Sequence, residues 1–396
     1  MDHERWLLPE GIEELLPPRA ARLEQLRRRL LDLFARWGYE LVNPPLVDYL
    51  DSLLTGMGND LDLQTFKFPD QMSGRQLGVR ADITPQVSRI DAHRLSGREG
   101  PVRLCYEGAV LHTRGDGLGG SRSFSQIGAE LYGHGGVESD AEMLCLMLEM
   151  LDAAEVGEVY VDLGHVGIFR ALAQAAKLSQ EQEAWLFDAL QRKAAPEIDA
   201  TLAEWDLPES ARRCFTELVW LNGGAEVLAQ ARDSLAAGNE AIAAALAQLM
   251  QVAERVTRQR PALQLHFDLA ELRGYHYHTG LVFAAYQPGQ GRAIAQGGRY
   301  DDIGQVFGRA RPATGFSADL RSLLALSRLT QPHVGGIFAP AVDDADLQKK
   351  VDALRAAGKR VVCALPGQKG GAFEAGCDQM LAVENGQWKI QSTQPI

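Results

Sequence analysis

Between residues 19 and 38, RAARLEQLRRRLLDLFARWG places Leu23, Leu26, Leu30, Leu33, Phe34 and Trp37 on one stripe of a helical repeat. The pattern predicts an amphipathic helix after Pro17-Pro18, with Gly38 as its stop. YELVNPPLVDY then reads as extended chain, because Pro44-Pro45 fits only a strand edge or a bulge. TFKFPDQMSGRQLGVRADIT alternates like a hairpin whose turn is at Ser73-Gly74. VRLCYEGAVLHT and SRSFSQIGAELYG predict two strands around a Gly-rich loop. Ser139 and Glu142 have the spacing of a capping box for the helix DAEMLCLMLEMLDAAE, and EVYVDLG is a strand again.

From about Phe169 to about Gln259 the chain is rich in Ala, Leu, Glu and Gln with almost no strand pattern, which predicts an inserted helical domain. Strands return at LQLHFDL, ELRGYHYHTGLVFAAY and GRAIAQGGRY. From about His333 the tail reads strand, helix, strand as a small α/β unit. The expected organisation is a body over 1–325, interrupted by the helical insertion at 169–259, and a C-terminal domain at 333–396. A mostly antiparallel sheet with flanking helices, a helical insertion and a small α/β tail is an α+β architecture.

Composition narrows the class. The chain has 396 residues, 46% hydrophobic and 23% charged, as in soluble globular proteins. No apolar run approaches the roughly 20 residues of a membrane helix, and MDHERWLLPEG does not read as a signal peptide. The five cysteines are odd in number and scattered, without a C-x-x-C pair, which argues against zinc and a disulfide framework and for a reducing cytoplasm. A formal net charge of −12 speaks against a nucleic-acid surface, since phosphate binding draws on excess Lys and Arg.

The candidate chemistry lies in three segments. In SFSQIGAELYG, Gln126, Gly128 and Glu130 share one strand face. An amide, a bare glycine and a carboxylate suit a small polar ligand, with Glu130 pairing with an ammonium; a solvated outer face is about equally compatible with the pattern alone. The same alternation puts Arg80, Asp82 and Thr84 on one face of VRADIT, where Arg80 and Asp82 could form a plain ion pair. ELRGYHYHTGLVF, residues 271–283, packs Arg273, His276, Tyr277 and His278 into a strand-like stretch. His276 and His278 lack the third ligand that zinc requires. GDGLGGS, residues 115–121, has neither a P-loop lysine nor a dinucleotide fingerprint and reads as a hairpin loop.

Taken in order, these segments resemble a known family. YEGAVLHTRGDGLGGSRSFSQIGAELYG resembles the second class-defining motif of class II aminoacyl-tRNA synthetases in its histidyl form. RGYHYHTGLVF is similar to the histidine-specific motif of those enzymes, and GGRYDDIGQVFGRARPATGFSADLRSLL to their third class motif. The resemblance covers about 325 residues and implies a class II synthetase-like antiparallel sheet. It also implies a histidine pocket at Thr84, Gln126, Glu130, Arg273 and Tyr277, with Asp82 where a glutamate is usual and His278 where a second tyrosine is usual.

The departures bear on function. His112 stands where the second motif carries the arginine that clamps the ATP α-phosphate, and Arg114 stands where an acid follows. Ser322 replaces the adenine-stacking arginine of the third motif and follows Arg321, where an acid is expected. A neutral imidazole or a hydroxyl cannot replace a planar bidentate cation on phosphate, so adenylate formation is expected to be absent. From residue 331 onward the tail holds seven basic and seven acidic residues, too balanced to seek RNA.

RADITPQVSR and ELRGYHYHTG are similar to a synthetase paralogue, the regulatory subunit of ATP phosphoribosyltransferase. That resemblance implies no catalysis and no cofactor or metal. It also implies a short-form catalytic partner in a hetero-octamer, a homodimeric core through GYELVNPPLVDY, and histidine as feedback effector of histidine biosynthesis. A divergent histidyl-tRNA synthetase and a free-standing histidine-binding module stay open as alternatives.

Overall fold

The computed structural model describes residues 6–393 apart from 55–58, 116–119, 206, 236–238, 273, 276 and 331–334. Chain contacts divide it into two compact units, Met1–Arg328 and Leu329–Ile396.

In the first unit α1 (Arg19–Arg36) buries Leu26, Leu30, Leu33 and Phe34, the stripe read from the sequence. It stops where Gly38 takes a φ of 82°, the left-handed conformation that glycine adopts without a Cβ penalty. Pro44-Pro45 then separates β1 (Glu40–Leu41) from β2 (Val47–Tyr49), which belong to different sheets. After the short helices α2 (Leu50–Leu54) and α3 (Asn59–Gln64) comes the hairpin β3 (Phe66–Pro69) and β4 (Gln76–Val79). Its turn is held by the Asp70 carboxylate, which accepts from the Met72 and Ser73 amides, and by Gly74 at a φ of 72°.

The hairpin ends earlier than the alternation suggested. Residues 80–83 are not strand, and α4 (Thr84–Arg89) begins there with Pro85 in its first turn. The Asp82 carboxylate accepts from the Thr84 amide at 2.9 Å and turns the chain into that helix. Arg80 does not pair with Asp82; its guanidinium donates to the carbonyls of Ala109 and Pro44.

β5 (Val102–Leu111) and β6 (Ser123–Tyr132) pair antiparallel over their full lengths. The helix that follows, α5 (Val137–Ala153), starts three residues before the expected capping box, at Gly136 and without a side-chain cap. Ser139 instead donates to the carbonyls of His134 and Gly136, and Glu142 pairs with Arg103.

After β7 (Tyr160–His165) come α6 (Val166–Ala175), α7 (Gln180–Gln191), α8 (Ala195–Glu204) and α9 (Glu209–Leu218). They are followed by a two-residue strand β8 (Asn222–Gly223), α10 (Glu226–Ser234) and α11 (Glu240–Gln259), which packs on α5, α6 and β7. The unit closes with β9 (Gln264–Asp268), β10 (Leu281–Tyr286), β11 (Ala295–Arg299), β12 (Ala313–Asp319) and α12 (Leu320–Leu326).

Nine strands form one sheet in the order β1-β5-β6-β12-β11-β10-β7-β9-β8. All its pairs are antiparallel except β1–β5 and β7–β9. α1, α5 and α12 pack together on one side of it. On the other side Ile83 and Val87 close over Leu104, Tyr106, Tyr132 and Tyr300 in a single apolar cluster.

The second unit has the expected strand, helix and strand: β13 (Ile337–Ala339), α13 (Ala345–Ala356) and β14 (Val361–Cys363), with β13 and β14 parallel. It also has a hairpin that the sequence reading did not include, β15 (Gln379–Glu384) and β16 (Gln387–Ser392). The turn is Asn385-Gly386, both at positive φ, as a two-residue hairpin of this hand requires.

The α1 stripe packs against α5, α12, β1 and β5, and Leu30 within it is fully buried. Replacing Leu30 with Ala should cost about 2–5 kcal/mol, read as a lowered denaturation midpoint with an unchanged slope.

Candidate ligand-binding site

The β5–β6–β12 register decides what surrounds Glu130. It lies opposite Leu104 on one side and Gly315 on the other, with Gly128 two residues earlier opposite Tyr106 and Ser317. A Cβ at position 315 would stand 1.5 Å from Glu130 Oε2, so only glycine leaves the carboxylate its place. A Cβ at position 128 would meet Tyr106 Oη at 2.6 Å. The Gln126–Gly128–Glu130 face is therefore interior and not a solvated outer surface; Glu130 is 1% exposed.

Three hydroxyls converge on this carboxylate. Tyr106 Oη donates to Oε1 at 2.9 Å, Thr84 Oγ1 donates to Oε1 at 3.1 Å, and Tyr300 Oη donates to Oε2. Among the described residues no cation pairs with it. The buried guanidinium groups, Arg80 and Arg299, are committed elsewhere: Arg299 bonds Asp140, Asp301 and Ser139. Burial, together with the Asp82 charge, pushes Glu130 up to about 8 although the three hydroxyls oppose the rise.

Asp82 and Gln126 extend this centre outward. Gln126 Nε2 donates to Asp82 Oδ1 at 2.8 Å, and Gln126 Oε1 accepts from the Ile83 amide at 2.9 Å. Four of the seven candidate residues, Asp82, Thr84, Gln126 and Glu130, thus form one hydrogen-bonded network.

Tyr277 and His278 stand beside it, their rings 4.2 Å apart and each about 6.5 Å from the Tyr300 ring. Burial raises the Tyr277 phenol, with smaller contributions from Asp82 and Glu130. Burial lowers His278 to about 4, so its ring is neutral at pH 7. Its Nδ1 is 3.2 Å from the Arg299 carbonyl, which can only accept, so Nδ1 carries the proton. Arg273 and His276 lie outside the described residues. The segment around them is not the strand its composition suggested. Gly274 has a φ of 65°, its carbonyl takes the amides of Tyr277 and His278, and β10 starts only at Leu281.

Tyr106 and Tyr300 are the site residues that sequence reasoning missed. Tyr106 could have been found from strand register opposite Gly128, and Tyr300 from the glycines that precede it in GGRY.

A cavity of about 680 Å³ adjoins the network and is lined by Asp82, Gln126, His112, Phe124, Gln296 and Asp319, among others. His112 donates from Nε2 to the Ala81 carbonyl at 3.0 Å and rests against the Phe124 ring; its Nδ1 is buried without a partner among the described residues. Arg114 is exposed, and the glycines at 116–119 lie outside the described residues. Ser322 lies in the first turn of α12, where its amide and hydroxyl both bond the Asp319 carboxylate. The Arg321 guanidinium is 3.8 Å from the Glu13 carboxylate. Among the described residues no three His, Cys, Asp or Glu side chains gather as a metal site. No helix among them is long and apolar enough to cross a membrane.

The similarities of the chain agree with this geometry. Residues 11–323 match the family model described as histidyl-tRNA synthetase, and residues 334–391 match that described as ATP phosphoribosyltransferase subunit HisZ C-terminal domain. A protein of Thioalkalivibrio sulfidiphilus named ATP phosphoribosyltransferase regulatory subunit is 58% identical over 393 residues, 98% of this chain and 99% of that one. Its namesake in Pseudomonas aeruginosa is 58% identical over 390 residues, 98% of each. The chain belongs to the family of ATP phosphoribosyltransferase regulatory subunits. Among solved structures, an ATP phosphoribosyltransferase regulatory subunit/histidyl-tRNA synthetase from Bacillus halodurans superposes with a TM-score of 0.83 at 26% identity, over 92% of this chain and 94% of that one. A histidyl-tRNA synthetase from a Nostoc species, at 18% identity, shares the fold with a TM-score of 0.78 over 98% and 97% of the two chains. The regulatory-subunit family thus has a class II synthetase-like body, as the motifs implied.

The uncompensated carboxyl gives a pH signature. Its folded-state pKa lies above the ordinary value of 4.5, so its contribution to stability is full below that value and is lost as pH rises through about 8. Glu130→Gln should match the wild type near pH 5 and exceed it by a few kcal/mol at pH 8 to 9 in the absence of ligand. Denaturant melts of the two proteins across pH check this, and a constant difference would contradict it.

Proposed function

We propose that the protein is the non-catalytic regulatory subunit of an ATP phosphoribosyltransferase complex, and that histidine, bound at the Asp82–Thr84–Gln126–Glu130 network, is its effector. One contrast within the site carries this reading. The hydroxyls and amide around Glu130 are joined in one network, whereas the two positions that would hold a nucleotide have been given other work: His112 bonds the Ala81 carbonyl and Ser322 donates to Asp319, the N-cap of α12. A pocket of this kind binds an amino acid and leaves it chemically unchanged. Arg273, Tyr277 and His278 complete the proposed lining.

The chemistry then resides in a short-form catalytic subunit, which condenses ATP with phosphoribosyl pyrophosphate at the first step of histidine biosynthesis in the cytoplasm. We place the two kinds of subunit in a hetero-octamer. A homodimeric core of this chain is supported by Leu41, Leu46 and Val47, which leave 56%, 46% and 37% of their surfaces exposed around β1 and β2. The body at 1–325 and the C-terminal domain at 333–396 are both taken to belong to the complex. An activator without active-site residues works only by binding the competent state of its partner more tightly. The partner's substrates must then tighten the complex, and histidine must oppose them.

Three measurements test the reading. Histidine-dependent exchange of pyrophosphate into ATP should be absent, because no guanidinium stands at position 112 or 322; exchange at synthetase rates would return the chain to the enzymes. Mixed with the purified catalytic subunit, the protein should raise phosphoribosyl-ATP formation, and histidine should lower it again. Glu130→Ala should weaken histidine binding by on the order of 2–5 kcal/mol, since a buried ion pair loses one partner. A rate indifferent to this chain rejects the regulatory role, and unchanged histidine affinity in Glu130→Ala moves the effector to another site.

A further inference from the structure

The Glu130 centre is a carboxyl whose surroundings accept either of its protonation states. Each of its oxygens faces hydroxyls, Tyr106 and Thr84 at Oε1 and Tyr300 at Oε2. A hydroxyl can donate to a carboxylate or rotate to accept from a carboxylic acid, so the cluster is satisfied both ways. Among the described residues, the component it lacks is positive charge. Among the described residues, the groups that face Glu130 are Asp82 from the turn ahead of α4, Thr84 from the first turn of α4, Tyr106 from β5, Tyr132 from β6 itself and Tyr300 after β11. Tyr39 and Tyr277 act from further away. β12 contributes only Gly315 at this point. All of these are neutral or acidic, and the charge on Asp82 disfavours a second negative charge.

Resting on the histidine-site reading above, we propose that occupancy of this site expels a proton from Glu130. The empty site holds the neutral acid. A ligand nitrogen bearing positive charge arrives, the O–H bond of the carboxyl breaks, the electron pair stays on Oε, and the proton leaves to solvent. The complex then holds an ammonium-type cation against a carboxylate with all three hydroxyls donating. The charge on Glu130 is thus created by the ligand and need not be maintained in its absence. The position of the carboxyl agrees with this, since burial pushes it up to about 8. Effector affinity therefore rises with pH, by at most about tenfold per unit, up to that region and then levels. A subunit built this way is less sensitive to its effector when the surroundings acidify.

Titration calorimetry of histidine into the full-length protein tests the inference when it is run in phosphate and in Tris, whose ionisation heats differ. Between pH 7 and 7.5 the buffer difference should correspond to release of nearly one proton per site, and it should decline as pH passes about 8. Tyr300→Phe removes one donor from the carboxylate, raises the pH at which Glu130 ionises, and should carry the release window upward while histidine still binds. Glu130→Gln should abolish release. Histidine binding with the same heat in both buffers overturns the proposal and leaves the histidine site standing. Absence of any binding heat overturns the histidine reading and this proposal with it. The ligand-free melts of wild type and Glu130→Gln then show separately whether the empty site holds the proton.

Discussion

Glu130 lies on β6, an interior strand of a nine-stranded sheet, with 1% of its surface exposed and, among the described residues, no cation beside it. Burying a carboxyl in this way costs free energy unless hydrogen bonds or a counter-charge offset it. The strands and loops around it supply the hydrogen bonds. Tyr106 comes from the neighbouring strand, Thr84 from the first turn of α4, and Tyr300 from the end of β11. The same constraint explains the bare backbone nearby, because Gly315 yields the space that Oε2 fills. It also explains why the chain leaves β4 at Val79: the Asp82 turn brings Thr84 over the sheet, where its hydroxyl reaches the carboxylate.

The rest of the site follows from a division of labour between two kinds of position. Those near Glu130, where we propose the effector binds, hold their polar groups in a connected network. At the positions we propose have lost a nucleotide, His112 and Ser322 have hydrogen bonds turned inward. Ser322 shows this clearly, because its hydroxyl and amide are both taken by Asp319. A hydroxyl at this position offers no cation to a phosphate, and it donates to the Asp319 carboxylate that caps α12. A fold that supports catalysis in one branch of a superfamily can in this way support ligand sensing in another with the sheet unchanged.

Much of this was legible in the sequence wherever the signal is local. The α1 stripe, the Ser73-Gly74 turn and the β5–β6 pair each depend on periodicity or on turn chemistry within one segment, and each appears as read. The failures have physical causes. Residues 80–84 alternate like a strand, but Pro85 and the Asp82 side chain start a helix there. The spacing of Ser139 and Glu142 matches a cap, yet Arg299 and Arg103 engage the two side chains in tertiary bonds. Tyr300 reaches Glu130 across 170 residues of chain, and no local pattern carries such a contact. The β15–β16 hairpin is a different kind of miss. Asn385-Gly386 is a strong two-residue turn signal that was present to be read.

The protonation state of one carboxyl joins the fold to the proposed regulation, so the most direct measurement observes that carboxyl. Infrared difference spectra of the full-length protein near pH 7, taken with and without histidine, separate the carbonyl stretch of a protonated acid from the stretches of a carboxylate. The account requires histidine to remove a protonated-acid band and create carboxylate absorption, with both changes missing in Glu130→Gln. A wild-type spectrum in which bound histidine leaves the acid band in place, or in which no such band exists beforehand, would contradict it.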